Sequence, residues 1–523
     1  MDISEMDVDD LIEDWKYWKE MFYDLALKYK LIMKKYEETL EKLFTEMEKT
    51  KMNAFTIKEL RERLKKLNAH PPPSKKNSGP SHHAQESSDL DSVASYAKVK
   101  ESIGNTKLYE AFLILSGDSE EANIIYAYSN SDILQLINSK IINDFIFPTQ
   151  MSGKNLEIHS ISELSVILYP NFIRDTNSFV FTLKGNSSTS IKIDDIPNKN
   201  KELLYCCCVV TEDLQVKETS RVESSYLCYC ILTYCPCFEL HFDVIYRLLS
   251  IKRIERTNKV MELESTYTLQ HLLDILKEKG PSSEEIYVLE TYGVYNIQPS
   301  LNVRIDISEV EPVEYEFPQD LSMIDTVWPC PVLFSLMKFT DLMTCIFALL
   351  QENSIVFMSK SLGVISSCVL GIQSLLKPFT WAYVISPILP EQIKDILQAP
   401  LPLLVGVPFA IEKQSGGIIY VDLDKGTMTE KHEPMLCYKT LAEKCRKDYG
   451  FFAGRTCYTP TDIQQVACFR IIDNIKAYLQ DLGERLSKNP DGVGEVVRKA
   501  DANEQEFFKK FTQTQTFLRF YSG

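Results

Sequence analysis

Half of the chain's 14 cysteines fall between positions 206 and 237, and thiols this close together are the first residues that could do chemistry. Cys228, Cys230, Cys235 and Cys237 read C-x-C-x4-C-x-C, and Cys206 to Cys208 is a run of three. Thiolates so arranged could hold a soft cation such as zinc. Structural zinc sites, however, favour cysteines with about two to four residues between them, and no C-x2-C occurs here. The stretch "YLCYCILTYC" has the composition of a strand, on which alternate cysteines share one face as small core residues. The core reading is the stronger, and the expectation is that the chain binds no metal. The start, "MDISEMDVDDL", is acidic where a secretory signal would carry basic residues before an apolar run. Reduced, buried thiols are therefore expected in place of a disulfide framework.

Other chemistries find less support. The apolar run "SIVFM" leads into Ser359-Lys360-Ser361-Leu362-Gly363, with one glycine where a pyrophosphate cradle would want three at set spacing. The chain has no G-x4-G-K-[ST] and no G-x-S-x-G. No covalent chemistry and no cofactor are expected. The formal charge of -16 speaks against nucleic-acid binding, since no basic face dominates. Hydrophobic residues make up 45% and charged residues 25%, so most of the chain can form packed cores. No stretch reaches the ~18 consecutive apolar residues of a membrane-spanning helix.

The elements that must carry these residues come in blocks. In residues 1–67, Leu11, Trp15, Trp18, Phe22, Leu25, Tyr29, Ile32 and Tyr36 step by four then three, the seam of a coiled-coil helix. Such a helix, ~90 Å long at ~1.5 Å per residue, must bury its stripe against a second copy, a partner or its own body. Residues 68–95 are rich in Pro, Ser, His and Gly and read as a flexible linker, with His82 and His83 solvated. Residues 96–260 alternate short β-branched and aromatic runs and end in an amphipathic helix carrying Phe238, Phe242, Ile245, Leu248 and Leu249. This is an α+β lobe with a mainly antiparallel sheet. Residues 261–330 form a connector.

Residues 331–410 read as an apolar helix, the strand "SIVFM", a helix capped by Ser359 or Ser361 and ended by Pro378, the strand "WAYVIS", a short helix "PEQIKDILQ" and the strand "LPLLVGV". Alternating strands and helices imply a parallel sheet with helices on both faces. Residues 411–523 add the strand and turn "VDLDKG" and helical segments, the last one, "EQEFFKKFTQTQTFLRFYSG", expected to dock its phenylalanines on the core.

At this point the residues resemble a known family, the DENN module of Rab guanine-nucleotide exchange factors. "ALLQENSIVFMS", with Glu352, is similar to that module's leucine-glutamate-strand run. "LLKPFTWAYVISPILP" and "LQAPLPLLVGV" match its most specific signature through Pro378, Phe379, Trp381, Pro387, Leu389, Pro390, Ala399, Pro400, Pro402 and Gly406. "FIFP", "FVFTL", "CILTYCPCF", "VDLD" and "FFKKFTQTQTFLRF" are weaker echoes, so the resemblance runs over roughly residues 105–523 in the family's order. Asn353 and Ser354 stand where many members have a basic residue, and Thr233 where the family has serine.

The resemblance implies a longin-like upstream lobe and a parallel-sheet α/β central lobe that together clamp a Rab GTPase, open its switch I and release GDP. It also implies a cytoplasmic protein, peripheral on vesicle or endosomal membranes through the GTPase. The alternative from another class is a scaffold of the same fold that binds GTPases or partner proteins without driving exchange. A homodimer or a helical partner is expected through the N-terminal seam. The signature prolines and Trp381 read chiefly as residues that hold the corner's backbone.

Overall fold

The computed structural model describes residues 107–117, 123–129, 133, 139–147, 155–156, 178–184, 203–216, 222–262, 275, 280–411, 417–429, 439–453, 458–487 and 502–522. The coiled-coil seam, the linker and the helical stretch that the sequence suggests at 163–168 lie outside these residues, as do most residues of the helical stretches suggested at 132–140 and 268–280. Residues 88–523 form one compact unit, a mixed α/β fold of two main sheets.

The first sheet is antiparallel. It consists of β1 (Ala111–Ser116), β2 (Asn123–Ser129), β3 (Asn155–Leu156), β4 (Ser178–Lys184), β5 (Leu203–Val216) and β6 (Val222–Thr233), in the order β2-β1-β6-β5-β4 with β3 beside β6. Both faces are buried along β1, β4 and the centres of β5 and β6, which is why these strands read as nearly continuous apolar runs, while the edge strand β2 is half-exposed. The cysteines alternate as strand geometry requires. Cys206, Cys208, Cys228 and Cys230 lie on the face with Leu113, Phe179 and Phe181. Cys207 lies on the other face, with Tyr229 and Ile231. Burial pushes the thiols of Cys206, Cys207 and Cys208 well up.

That second face is covered by α2 (Phe238–Glu262), which follows α1 (Ser139–Ile146) in the chain, and by α3 (Ser283–Val294). Phe238, Phe242, Ile245, Leu248 and Leu249 of α2 are all buried, as their spacing requires. A buried ion pair ties the far end of α2 to β5: Arg256 donates to Asp213 through both guanidinium ends, at 3.0 and 3.3 Å. The stretch expected as a connector of mixed character contains α3 and a hairpin, β7 (Asn302–Ile305) with β8 (Val313–Glu316). A capping box starts α3: Ser282 Oγ accepts from Glu285 N–H, and Glu285 Oε2 accepts from Ser282 N–H.

After α4 (Pro329–Leu336) and α5 (Phe339–Leu350) comes the second sheet, of β9 (Ser354–Met358), β10 (Val384–Ser386), β11 (Leu403–Val407), β12 (Ile418–Asp422) and β13 (Thr427–Met428). Its order is β10-β11-β9-β12-β13, with β10, β11, β9 and β12 parallel and β13 antiparallel. Between β9 and β10 runs α6 (Leu362–Leu375), capped by Ser361, whose Oγ accepts from Val364 N–H. This helix also packs along the outer edge of β4, where Ser366 Oγ accepts from Val180 N–H at 3.3 Å. The two sheets thus share one core, and α6 covers an edge strand that would otherwise stand open. No described helix is long and apolar enough to cross a membrane, and the bent pair α4–α5 is buried in this core.

Two expectations need correction. The far face of the parallel sheet is covered by no described α-helix. "EQIKDILQ" is a 3-10 segment, Glu391–Gln398, with Ile393 off helical geometry and Leu397 as its buried contact. Ile393, at φ -115° and ψ 22°, breaks the run into two short 3-10 turns, so no α-helical ladder forms. The last helix is also two: α9 (Ala502–Phe511) and α10 (Gln515–Ser522), following α7 (Lys439–Tyr449) and α8 (Asp462–Ser487). Threonine hydroxyls cause the break. Thr512 Oγ1 donates back to Phe508 O at 2.9 Å, and Thr514 Oγ1 accepts from Phe517 N–H at 3.2 Å, so the chain stops and restarts there. Phe507, Phe508, Phe511 and Phe517 are nonetheless docked on the core.

Candidate functional site

The sequence signature assembles into one interlocked corner. At its base, Lys377 donates to both carboxylate oxygens of Asp325 and to Ser322 O, each at 2.7 Å. The Lys377-Pro378 bond is cis. Phe379 then lies 5.1 Å from Phe511 and 4.9 Å from Phe520, ring centre to ring centre. Trp381 is buried and its indole N–H donates to Val384 O at 3.3 Å. That turn keeps residues 381–383 out of the strand, so "WAYVIS" pairs only through its last three residues. Pro387 packs on Gly406 so closely that a Cβ there would lie 2.2 Å from Pro387 O, and Leu389 N–H donates to Gly406 O. Only glycine fits.

Glu352 belongs to the same lock. Its Oε2 accepts from Tyr383 O–H at 2.8 Å and its Oε1 from Thr516 N–H at 3.1 Å, at the start of α10. Ser354 Oγ accepts from Leu403 N–H, so the departure at this position serves pairing within the sheet. Thr233 keeps the hydroxyl chemistry of a serine: it donates to Leu108 O at 2.6 Å and accepts from Cys235 N–H at 2.8 Å.

At the carboxyl ends of parallel strands, where phosphates bind in many such sheets, the position is taken by the chain's own anion. Asp424, two residues beyond β12, accepts from Ser359 O–H at 2.6 Å and from Lys360 N–H at 3.1 Å. These groups sit beside the first turn of α6. The motifs "IVFMS" and "VDLD", 65 residues apart at these atoms, therefore complete each other.

Among the described residues, no three His, Cys, Asp or Glu side chains are arranged as a metal centre. His241 is buried in a hydrogen-bond chain: its Nε2–H donates to Cys235 O at 2.9 Å and its Nδ1 accepts from Tyr292 O–H at 2.6 Å. Both ring nitrogens are engaged in structure.

What remains at the surface is the outer part of the signature. Pro400 is exposed, Leu401 is 54% exposed and Ile393 46%, on the segment between β10 and β11 beside Glu391, Lys394 and Asp395. Pro402 is half-buried, while Pro387 and Pro390 are buried. So the structure divides the sequence-predicted residues: Glu352, Phe379, Trp381, Pro387, Pro390 and Gly406 hold the fold, and Pro400 with its neighbours faces outward.

Sequence reasoning also missed a cavity of about 920 Å³. It lies between the first turns of α2, the β7–β8 region and α8. Its signal was the acidic stretch "SEVEPVEYEFPQD", overlooked because the remaining lining comes from separate segments.

Against known proteins, residues 224–426 match the DENN (AEX-3) domain, from the start of β6 to the β12–β13 turn. DENN domain-containing protein 1B of Homo sapiens is 24% identical over 216 residues, 39% of this chain and 26% of that protein. DENN domain-containing protein 2B of Mus musculus is 32% identical over 97 residues, 18% of this chain and 8% of that protein. Myotubularin-related protein 5 of Caenorhabditis elegans is 30% identical over 168 residues, 31% and 9% of the two chains. The aligned stretches thus span about a quarter or less of these relatives. The resemblance read over residues 105–523 is matched over its central part.

Proposed function

We propose that this chain is a guanine-nucleotide exchange factor that binds a Rab-type small GTPase, opens its switch I and promotes GDP release. The observation that carries this reading is the DENN match over residues 224–426, on a fold whose signature residues lock one another. In this reading the antiparallel sheet with α2 and α3 is the longin-like lobe, and the parallel sheet is its partner in the clamp. The outward segment with Ile393, Pro400 and Leu401 supplies apolar contact to the GTPase. The protein acts in the cytoplasm, on vesicle or endosomal membranes through the GTPase it holds. The Trp15, Trp18, Phe22, Leu25, Tyr29 and Ile32 seam pairs with a second copy or a partner helix.

The physical requirement is modest in chemistry and large in area. A GTPase holds its nucleotide through its own phosphate loop, Mg2+ and switch contacts, so a protein that binds the opened switch weakens all of them. Coupling is reciprocal: the nucleotide loosens the partner as much as the partner loosens the nucleotide. Against a nucleotide bound at ~pM, near -16 kcal/mol, a broad interface with a few anchors is needed, and no catalytic triad.

The test is release of fluorescent GDP from a panel of Rabs, with the full chain added in substoichiometric amount. Acceleration of at least one Rab is expected. No acceleration across the panel, with tight binding to a GTPase, would establish the scaffold reading in its place.

A further inference from the structure

The acid-lined cavity is separate from the signature corner. Its rim carries Glu239, Asp243, Glu311, Glu314 and Glu316, five carboxylates against one guanidinium, Arg247. That guanidinium is already engaged: Arg247 lies 3.8 Å from Asp243 and 3.3 Å from Glu311. Two of the carboxylates stand well into solvent, with side-chain exposures of 83% for Glu311 and 57% for Glu314, the latter paired with Arg304 of β7, so the rim keeps an excess of negative charge over Arg247 and Arg304 together. The cavity wall is apolar where it meets Phe317 and Phe469.

A second feature leads into it. Ile463, Val466 and Phe469 are spaced i, i+3, i+6 on α8, so their side chains form one row along the helix. Ile463 is 64% exposed and Val466 49%, while Phe469 lines the cavity. An uncovered apolar track thus runs from the first turn of α8 into an acid-rimmed hollow. A small ion would need neither the track nor the apolar wall. A compact ligand would not reach from Ile463 to the rim.

We propose that this face docks a lysine- or arginine-rich, amphipathic segment of a partner protein. Aliphatic side chains lie along Ile463, Val466 and Phe469, and the cations enter the rim, their methylene stems on the apolar wall. Charge complementarity selects a basic partner and excludes an acidic one.

The test uses the full chain and a fluorescein-labelled model peptide of repeating Lys-Leu-Leu-Lys units, followed by anisotropy at low and physiological salt. The expected result is saturable binding that weakens with salt. A Glu311→Gln/Glu316→Gln variant should lose affinity at least tenfold, and Val466→Asp should lose it comparably. Asp481→Asn/Glu506→Gln, which removes as much charge from exposed positions elsewhere, should bind as the unaltered chain does. Thermal melting confirms that each variant is folded. The proposal is overturned if the peptide fails to bind, if the two double variants bind alike, or if a peptide with Glu in place of Lys binds equally well. It is overturned in favour of a small polycation if spermine alone binds as tightly and Val466→Asp leaves that binding unchanged.

Discussion

The corner around Lys377 to Gly406 and the acid-rimmed face of α2, β8 and α8 use the same residue types to opposite ends. In the corner, carboxylate, lysine and aromatic side chains meet each other: Lys377 with Asp325, Glu352 with Tyr383 and Thr516, Phe379 with Phe511 and Phe520. On the acid-rimmed face, Glu311, Glu314, Ile463 and Val466 stand in solvent, although Arg247 and Arg304 pair with some of the carboxylates. Most of the recognisable motif is therefore the part of this protein that holds its shape. Its outer part, with Ile393, Pro400 and Leu401, and the acid-rimmed face are instead open to solvent.

The contrast is sharpest in stability. Trp381→Ala in the corner should destabilise the fold by roughly 3–5 kcal/mol, the range for truncating a buried aromatic. Chemical denaturation of the full chain checks it. A loss below about 1 kcal/mol would show that the corner is not the structural lock described here.

The next effect depends on pH. Burial pushes the Glu285 carboxyl up to about 7 from its ordinary 4.5, although Lys252 and the Ser282 N–H pull it down. The folded chain therefore keeps a proton that the unfolded chain gives up, and this site's contribution falls as pH rises from 4.5 to about 7. Glu285→Gln keeps an acceptor for the capping box and removes the titration. Relative to the unaltered chain, it should gain about 3 kcal/mol between pH 4.5 and 8, an order-of-magnitude figure from ~1.4 kcal/mol per pH unit. Melting curves across that range check it, and a pH-independent difference would refute it.

Glu352→Gln tests the lock itself, since it removes charge from two hydrogen bonds while keeping the side chain's shape. A loss of about 1–2 kcal/mol is expected, from weakening bonds to a charged acceptor. At the other end of the scale, Glu311→Gln on the rim should change stability by less than about 0.5 kcal/mol. Equal effects from the two variants would erase the distinction between the regions.

Much of this fold was legible in the residues. Short apolar runs such as "SIVFM" and "LPLLVGV", bounded by turn residues, read as strands buried on both faces and hold β9 and β11, and the cysteine alternation follows from strand geometry. The partners of the signature were not legible. Nothing local says that Glu352 reaches Thr516, or that Ser359 reaches Asp424, because each pair is made by the tertiary fold. The break between α9 and α10 was missed because helical periodicity outweighed three threonines in reading the sequence. The cavity was missed because its acidic stretch meets the rest of the lining, on α2 and α8, only in the tertiary fold.

The central claim is that the locked corner presents, and the outward segment makes, the GTPase contact. Its most direct test is the rate of GDP release driven by an Ile393→Asp/Leu401→Asp variant, measured on a Rab that responds to the unaltered chain. Both side chains are about half exposed, so melting should be unchanged. The account predicts at least a tenfold slower release with the fold intact. Release at the original rate, from an equally stable variant, would contradict it.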